Sequence, residues 1–425
     1  MTVTPEQLAT VLALLESTHD LEPSSPEFLA LERAVAHLAK SAKKKRRLER
    51  SLKTRAGDAA LTQRTGLEKK RLGATSGAPS SGASPGRLQR ERACYACKRP
   101  YVELHPWYPS MCPECGAKSL AMRDRPIVLE GRRALLTGGR VKIGQAIALR
   151  MLRAGAEVHL TTRFPRDAAR RYGAEPDAER WRDRLHIHGL DFRDLRRLLD
   201  ALEAWRRGPA FDIVINNAAQ SVWHPPSYFQ ELHALERAEA CAEGPQAPSS
   251  VAEALVPLLA QTSLERLDLD WEDSWVQSLG EIAPVEMVEV QVVNAIAPFL
   301  ICSLLRDNLA RSPFADRYIV NVSAVEGQFA RQEKTVRHPH NNMAKAALNM
   351  LTRTSAADLA ADGIHMVSVD PGWMSAEGKY VESSRVLMPL EAEDCAARIL
   401  HPIAEGIAGR PLSGVLLKDF VEVPW

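Results

Sequence analysis

Between Arg133 and Asp419 the sequence repeats one pattern, a short apolar run rich in β-branched residues followed by a longer amphipathic stretch. The runs are RALLTG (133–138), EVHLTT (157–162), LHIHGL (185–190), DIVINN (212–217), YIVNVS (318–323), HMVSVD (365–370) and, more weakly, GVLLKD (414–419). Such short runs fit strands covered on both faces, and the helix-length spacers supply the cover. The pattern predicts an α/β fold with a doubly wound, Rossmann-type parallel sheet over residues 130–425.

The chain before this repeat reads differently. Thr4-Pro5-Glu6-Gln7 is a helix start, with Thr4 as cap and Gln7 closing a capping box, and Leu8, Val11, Leu12, Leu14 and Leu15 form the following apolar stripe. Ser25-Pro26-Glu27 repeats the signal before Phe28, Leu29, Leu31, Val35 and Leu38, and this helix can continue through KKKRRLERSLKTR. Residues 40–71 carry thirteen Lys or Arg against Glu49, Asp58 and Glu68, although the whole chain has a formal charge of only +2. This helical, basic region (1–72) is a candidate contact for protein or nucleic acid. Residues 73–89 begin with GATSGAPSSGASPG, which cannot bury enough apolar surface to fold and reads as a flexible linker.

Residues 90–122 hold Cys94, Cys97, Cys112 and Cys115 as two CxxC pairs around a 14-residue gap. Four soft ligands from two tight turns suit a structural Zn²⁺ and leave no open position for a substrate. The pattern resembles a zinc ribbon. His105 reads as a surface residue rather than a ligand, and Tyr101, Trp107 and Tyr108 either stack on bases or pack a miniature core. Cys241, Cys302 and Cys395 are scattered and read as reduced thiols. No run of 18 apolar residues occurs, and the N-terminus shows neither a basic leader nor a small-residue cleavage site, so the expectation is a cytoplasmic chain without an ordinary spanning helix.

The first strand of the repeat ends in Thr137-Gly138-Gly139-Arg140-Val141-Lys142-Ile143-Gly144. Gly138 and Gly144 suit a sharp turn close to a phosphate, and the following helix offers its unpaired N–H groups. After the second strand stands Arg163, with no acidic residue to bond a ribose 2′-hydroxyl, which favours NADP over NAD; the alternative is a plain surface charge. TGGRVKIG resembles the TGxxxGxG fingerprint of the short-chain dehydrogenase/reductase family, and further landmarks follow in order over roughly residues 130–420.

The resemblance assigns cofactor contacts to Thr137, Gly138, Arg140, Lys142, Ile143, Gly144, Asp191, Asn217, Ala218, Lys345, Pro371 and Gly372. Lys142 replaces the middle glycine, where it either assists or obstructs the pyrophosphate. Asn216-Asn217-Ala218-Ala219 is similar to the family's NNAG, and Asp370-Pro371-Gly372-Trp373 to the segment beside the nicotinamide, where Ser375 or nearby backbone can bond the amide. Among catalytic positions, Asn294 matches the relay asparagine and Lys345 the lysine. The tyrosine position is Asn341 and the serine position is Ala324, with Ser323 one residue early. His340 is the nearby candidate for a substitute acid, the alternative being a solvated or structural loop histidine, with Glu326 a weaker candidate. The resemblance implies an NADP-dependent oxidoreductase with an unidentified carbonyl or alcohol substrate, commonly as a homo-oligomer. The missing Tyr and Ser favour instead a nucleotide-binding sensor or scaffold. An insertion at about 221–285, with an acidic stretch over 264–291, covers the substrate side or meets the basic arm.

Overall fold

The computed structural model describes residues 3–74, 82–220, 229–237, 274–374 and 388–425. Most of the insertion lies outside these, as do Ser375 and Cys241. The chain forms two compact units, one of Met1–Ala93 with Arg99–Cys112 and one of Cys94–Lys98 with Pro113–Trp425.

In the first unit α1 (Pro5–Glu16) starts with the reciprocal Thr4–Gln7 capping box, and α2 (Pro26–Gln63) is capped by Ser25 and carries most of the basic run along 38 residues. A short α3 (Gly66–Arg71) follows, then β1 (Arg87–Ala93) paired antiparallel with β2 (Pro100–Glu103). This strand pair was not expected, because RLQRERA shows no apolar alternation. Its backbone is bonded from outside: the Asp58 carboxylate accepts the Gln89 and Arg90 amides at 2.7 and 3.2 Å. Leu67, Leu88, Tyr101, Leu104, Trp107, Tyr108 and Met111 are buried, so the aromatics form a miniature core. His105 corrects the expectation of a surface residue, being only 4% exposed. Its Nδ1 accepts the Trp107 and Tyr108 amides at 3.1 and 3.2 Å, and burial lowers its pKa to about 4, in keeping with the neutral ring that accepting requires.

The second unit opens with α4 (Pro113–Arg123) and then alternates strands and helices: β3 (Arg133–Thr137), α5 (Lys142–Arg153), β4 (Glu157–Thr162), α6 (Pro165–Gly173), β5 (Leu185–Gly189), α7 (Leu195–Arg207) and β6 (Ile213–Asn216). After α8 (Gln230–Arg237) come α9 (Pro284–Gln291), a π turn at Val292–Ile296, α10 (Ala297–Ala310), β7 (Arg317–Val322), α11 (Pro339–Ala361), β8 (Ile364–Asp370), α12 (Ala392–Ile407), β9 (Leu416–Lys418) and β10 (Val421–Val423). The sheet order is β10-β9-β8-β7-β6-β3-β4-β5, parallel throughout except for the unexpected final β9–β10 hairpin. Side chains alternate between two cores: Ala134 and Leu136 join α5 and α12, whereas Leu135 joins α7, α10 and α11. Residues 284–310 are long and apolar enough to span a bilayer by length and composition, with a mean hydropathy of 1.8 over their most apolar window. Their buried side, including Val290, Ala297, Ile301, Leu305 and Leu309, belongs to this unit's packing.

At the entry ends of β4 and β5, Glu157, His159 and His186 bring possible metal ligands within 4.8 Å of one another. A cation is disfavoured there by Arg133, whose guanidinium donates to both Glu157 Oε1 and His159 Nε2 at 3.1 Å. His159 also bonds His188 through Nδ1 at 3.0 Å and stacks on His186. Burial first, then the Arg133, His186 and His188 charges, lower the His159 pKa to about 4, against the hydrogen bond that the protonated ring would donate to Glu157. Protonation thus favours the unfolded chain: this stability is whole above pH 6.5 and is lost as pH falls toward 4. The expected loss is about 3 kcal/mol over that window, and urea titrations at successive pH values should show a correspondingly flatter profile for His159→Gln.

Candidate functional site

In the sheet, β3 lies between β4 and β6, and the chain proceeds outward from it in both directions. This reversal opens a crevice beyond the carboxyl ends of the strands, where open α/β sheets receive nucleotides. The β3–α5 turn sits there and is fixed from three sides. Thr161 O accepts the Gly138 and Gly139 amides at 3.0 and 3.1 Å, and Tyr172 Oη donates to Gly139 O at 2.6 Å. Asn217 Nδ2 donates to Thr137 O and Gly138 O, both at 3.0 Å, while Thr137 Oγ1 accepts the Asn217 and Ala218 amides at 2.9 Å. Thr161 and Tyr172 were not picked out from the sequence; only the packing brings them to the turn.

Both expected glycines are sterically required. At Gly138, φ is +69° and a Cβ would stand 2.8 Å from the Ala218 Cα, while at Gly144 it would stand 2.0 Å from Gly138 O. Lys142, at the middle glycine's position, keeps a left-handed backbone with φ +52°, at a cost of about 1–2 kcal/mol for a residue with a side chain. The side chain at this position is exposed, whereas Ile143 packs toward the core, leaving its backbone for a ligand. The Val141 side chain at the N-cap makes no capping hydrogen bond, and the start of a helix suits an anion.

Two arginines flank the crevice, one in the β3–α5 turn and one after β4. Arg140 pairs with Asp167 at 2.7 Å and lies over Phe164, so its charge is held locally. Arg163 is exposed and lies over the Phe164 and Phe229 rings at 5.4 and 4.8 Å. Asp191 is occupied by Arg193, which donates to it through Nη2 at 2.6 Å and also pairs with Glu289 at 3.3 Å. Burial would raise the Asp191 carboxyl, but the Arg193 bonds hold it below the usual carboxylate range.

The catalytic candidates separate into two groups. Asn294, in the π turn, is 1% exposed and exchanges bonds with the Gln220 backbone, accepting at 2.7 Å and donating at 2.9 Å. It also donates to Asn341 Oδ1 at 3.4 Å, which brings the relay and tyrosine positions together. Lys345 is buried and donates to Val322 O at 2.9 Å, at the end of β7. Burial lowers its pKa to about 8, with the Glu326 and Asp370 charges opposing the shift.

Ser323 and His340 point elsewhere. Ser323 Oγ donates to Asn349 Oδ1 at 2.5 Å, inside the β7–α11 packing. His340 is 2% exposed, and its Nε2 lies 3.5 Å from Glu286 on α9. The other side of the crevice is organised by Asp370, to whose side chain the sequence reading gave no role. Its carboxylate accepts the Val325 and Gly372 amides at 2.9 and 2.7 Å and pairs with Lys418 at 3.2 Å. It thereby fixes the Pro371–Gly372 turn, where Gly372 has φ +84°.

The four cysteines of the paired CxxC motifs have their sulfurs within 4.8 Å of one another and form no disulfide. Four sulfurs around a zinc at about 2.3 Å would be roughly 3.8 Å apart, so the cluster fits a soft metal ion.

The strand order and glycine turn define a divergent short-chain dehydrogenase/reductase fold. Residues 275–400 match the family described as Enoyl-(Acyl carrier protein) reductase. The uncharacterized protein R665 of Acanthamoeba polyphaga mimivirus is 32% identical over 353 residues, spanning 73% of this chain and 71% of the viral protein. The chain belongs to the family of that protein. A solved short-chain dehydrogenase/reductase from Burkholderia multivorans with bound NADP is 22% identical, covers 69% of this chain and 99% of its own, and has a TM-score of 0.47. For the Pseudomonas aeruginosa RhlG/NADP active-site complex the values are 20%, 69%, 96% and 0.47.

Proposed function

We propose that the protein is an NADP(H)-dependent oxidoreductase acting on a carbonyl or alcohol substrate. The observation that carries this reading is the pairing of the fixed glycine turn with the buried Lys345 amine at the end of β7. The α5 N-terminus and Lys142 receive the pyrophosphate, Arg163 the 2′-phosphate, and the Pro371–Gly372 turn the amide end. A bound nicotinamide supplies or takes the hydride. The proton needs another route than usual, because Asn341 does not titrate and Ala324 has no hydroxyl. Lys345, with a pKa of about 8, is the proton-transfer group in this reading, since a catalytic acid works best near the operating pH. Burial against Glu286 speaks against the His340 alternative.

The test is transfer of deuteride from 4-deuterated NADPH into a panel of carbonyls, with NADPH binding followed by its fluorescence. Binding without transfer would support the second reading, a nucleotide-binding sensor or scaffold, which Asn341 and Ala324 favour. Arg163→Ala is expected to weaken NADPH about 10- to 100-fold, the value of one or two charge-assisted bonds, and to leave NADH unchanged; competition titrations of both dinucleotides measure it.

The flanking modules take supporting roles in this proposal. The cysteine cluster holds a structural Zn²⁺ in a zinc-ribbon-like module of residues 90–122. The basic face of α2 contacts protein or nucleic acid, and exposed Ile296, Phe299, Met343 and Met350 on α10, α11 and the preceding π turn support self-association.

A further inference from the structure

Between the first pair of cysteines stands Tyr95, and its hydroxyl accepts the Trp373 amide at 2.9 Å. A Cβ at Gly372 would lie 3.0 Å from the same oxygen, so the phenol fits against the backbone of the turn that Asp370 also holds. The second cysteine pair leads into α4, which includes Cys115 and is fixed to α12. Arg123 Nη1 on α4 bonds Glu391 at 2.7 Å and Asp394 at 3.3 Å, and Ser119 Oγ accepts from Arg398 at 3.4 Å. Arg398 in turn pairs with Asp419 at 2.9 Å. The two cysteine arms thus hold the chain at Gly372–Trp373 and again at Glu391–Arg398, on either side of residues 375–387.

The geometry points to a clamp: a soft divalent cation such as Zn²⁺, bound by the cysteine cluster, locks these two grips together and sets the position of the Pro371–Gly372 turn, with Tyr95 as the positioning residue. This rests on the cofactor reading above for its consequence, since that turn receives the nicotinamide end. The metal touches no reacting atom. Its occupancy instead governs whether Tyr95 is held where the Trp373 amide can donate to it.

Tyr95→Phe in the full chain tests the clamp while sparing all four ligands. Metal content by mass spectrometry should match the unsubstituted protein, at one zinc per chain, and the unfolding midpoint should fall by no more than one hydrogen bond accounts for. Hydrogen exchange at the Trp373 amide should rise about fivefold to tenfold in the variant, the value of one lost hydrogen bond, and should rise similarly when the unsubstituted protein is stripped with a chelator. NADPH affinity should fall by a similar factor, whereas 2′,5′-ADP, which lacks the nicotinamide half, should bind both proteins equally. Unchanged exchange at Trp373 in both the variant and the stripped protein would overturn the clamp, as would equal weakening of NADPH and 2′,5′-ADP. If the unsubstituted protein bound neither nucleotide, the cofactor reading would fall by itself, and the exchange measurement would still decide the clamp.

Discussion

Lys345→Met is expected to lower hydride transfer by about 10²- to 10⁴-fold, the usual range for loss of a positioned acid or base. Methionine approximates the lysine stem and keeps the β7–α11 packing, so the unfolding midpoint should change little. Lys345→Arg separates charge from proton transfer: a guanidinium keeps the cation but does not give up its proton near neutral pH. It should retain NADPH binding and lose turnover. In the unsubstituted enzyme, carbonyl reduction requires the ammonium form and should fall as pH rises through about 8, the value to which burial lowers this amine. Stopped-flow measurement of nicotinamide oxidation between pH 6 and 10 gives the profile. A flat profile together with full activity of Lys345→Met would refute the proposed role.

Gly144→Ala should have the second large effect. The added methyl would meet Gly138 O at 2.0 Å and the Asn217 amide nitrogen at 2.9 Å, and the first of these is backbone that cannot rotate away. Either the turn shifts or α5 moves off the sheet. Overpacking of this severity should lower stability by about 3 kcal/mol, near the upper end of the usual range, and displacement of the turn should weaken NADPH more than about 100-fold. Gly173→Ala is the control, because a Cβ at that position meets nothing within 4 Å. Denaturant midpoints and nucleotide titrations on the pair separate the local clash from the general effect of replacing glycine in a helix, which by propensity alone favours alanine. Equal behaviour of the two variants would show that the β3–α5 turn is not the tight contact described.

The strands of the α/β repeat were legible because each is a short apolar run, and burial on both faces leaves little choice of residue. The capping box at Thr4 and the cap at Ser25 were legible because their bonds are local. β1 was not, since its amides depend on Asp58, some thirty residues away along the chain. His105 was misjudged for a related reason. Its accepting nitrogen serves two amides of its own turn, and nothing in residue order signals that the turn is buried.

In the candidate site, the glycine turn, Arg163 and the cysteine spacing are read from residue types in order, and Asn294 and Lys345 from the resemblance to a family. Their partners are not. Tyr172 on α6 and Thr161 on β4 fix the turn, Asp370 joins the turn after β7 to β9 and the Gly372 turn, and Ser323 is drawn to Asn349 rather than to the crevice. Sequence by itself determined the fold class and the ends of strands where a nucleotide can sit, because side-chain alternation and backbone φ are local constraints. The tertiary structure alone decided which polar groups are already satisfied by one another, because hydrogen bonds between distant segments exist only once the sheet has brought those segments together.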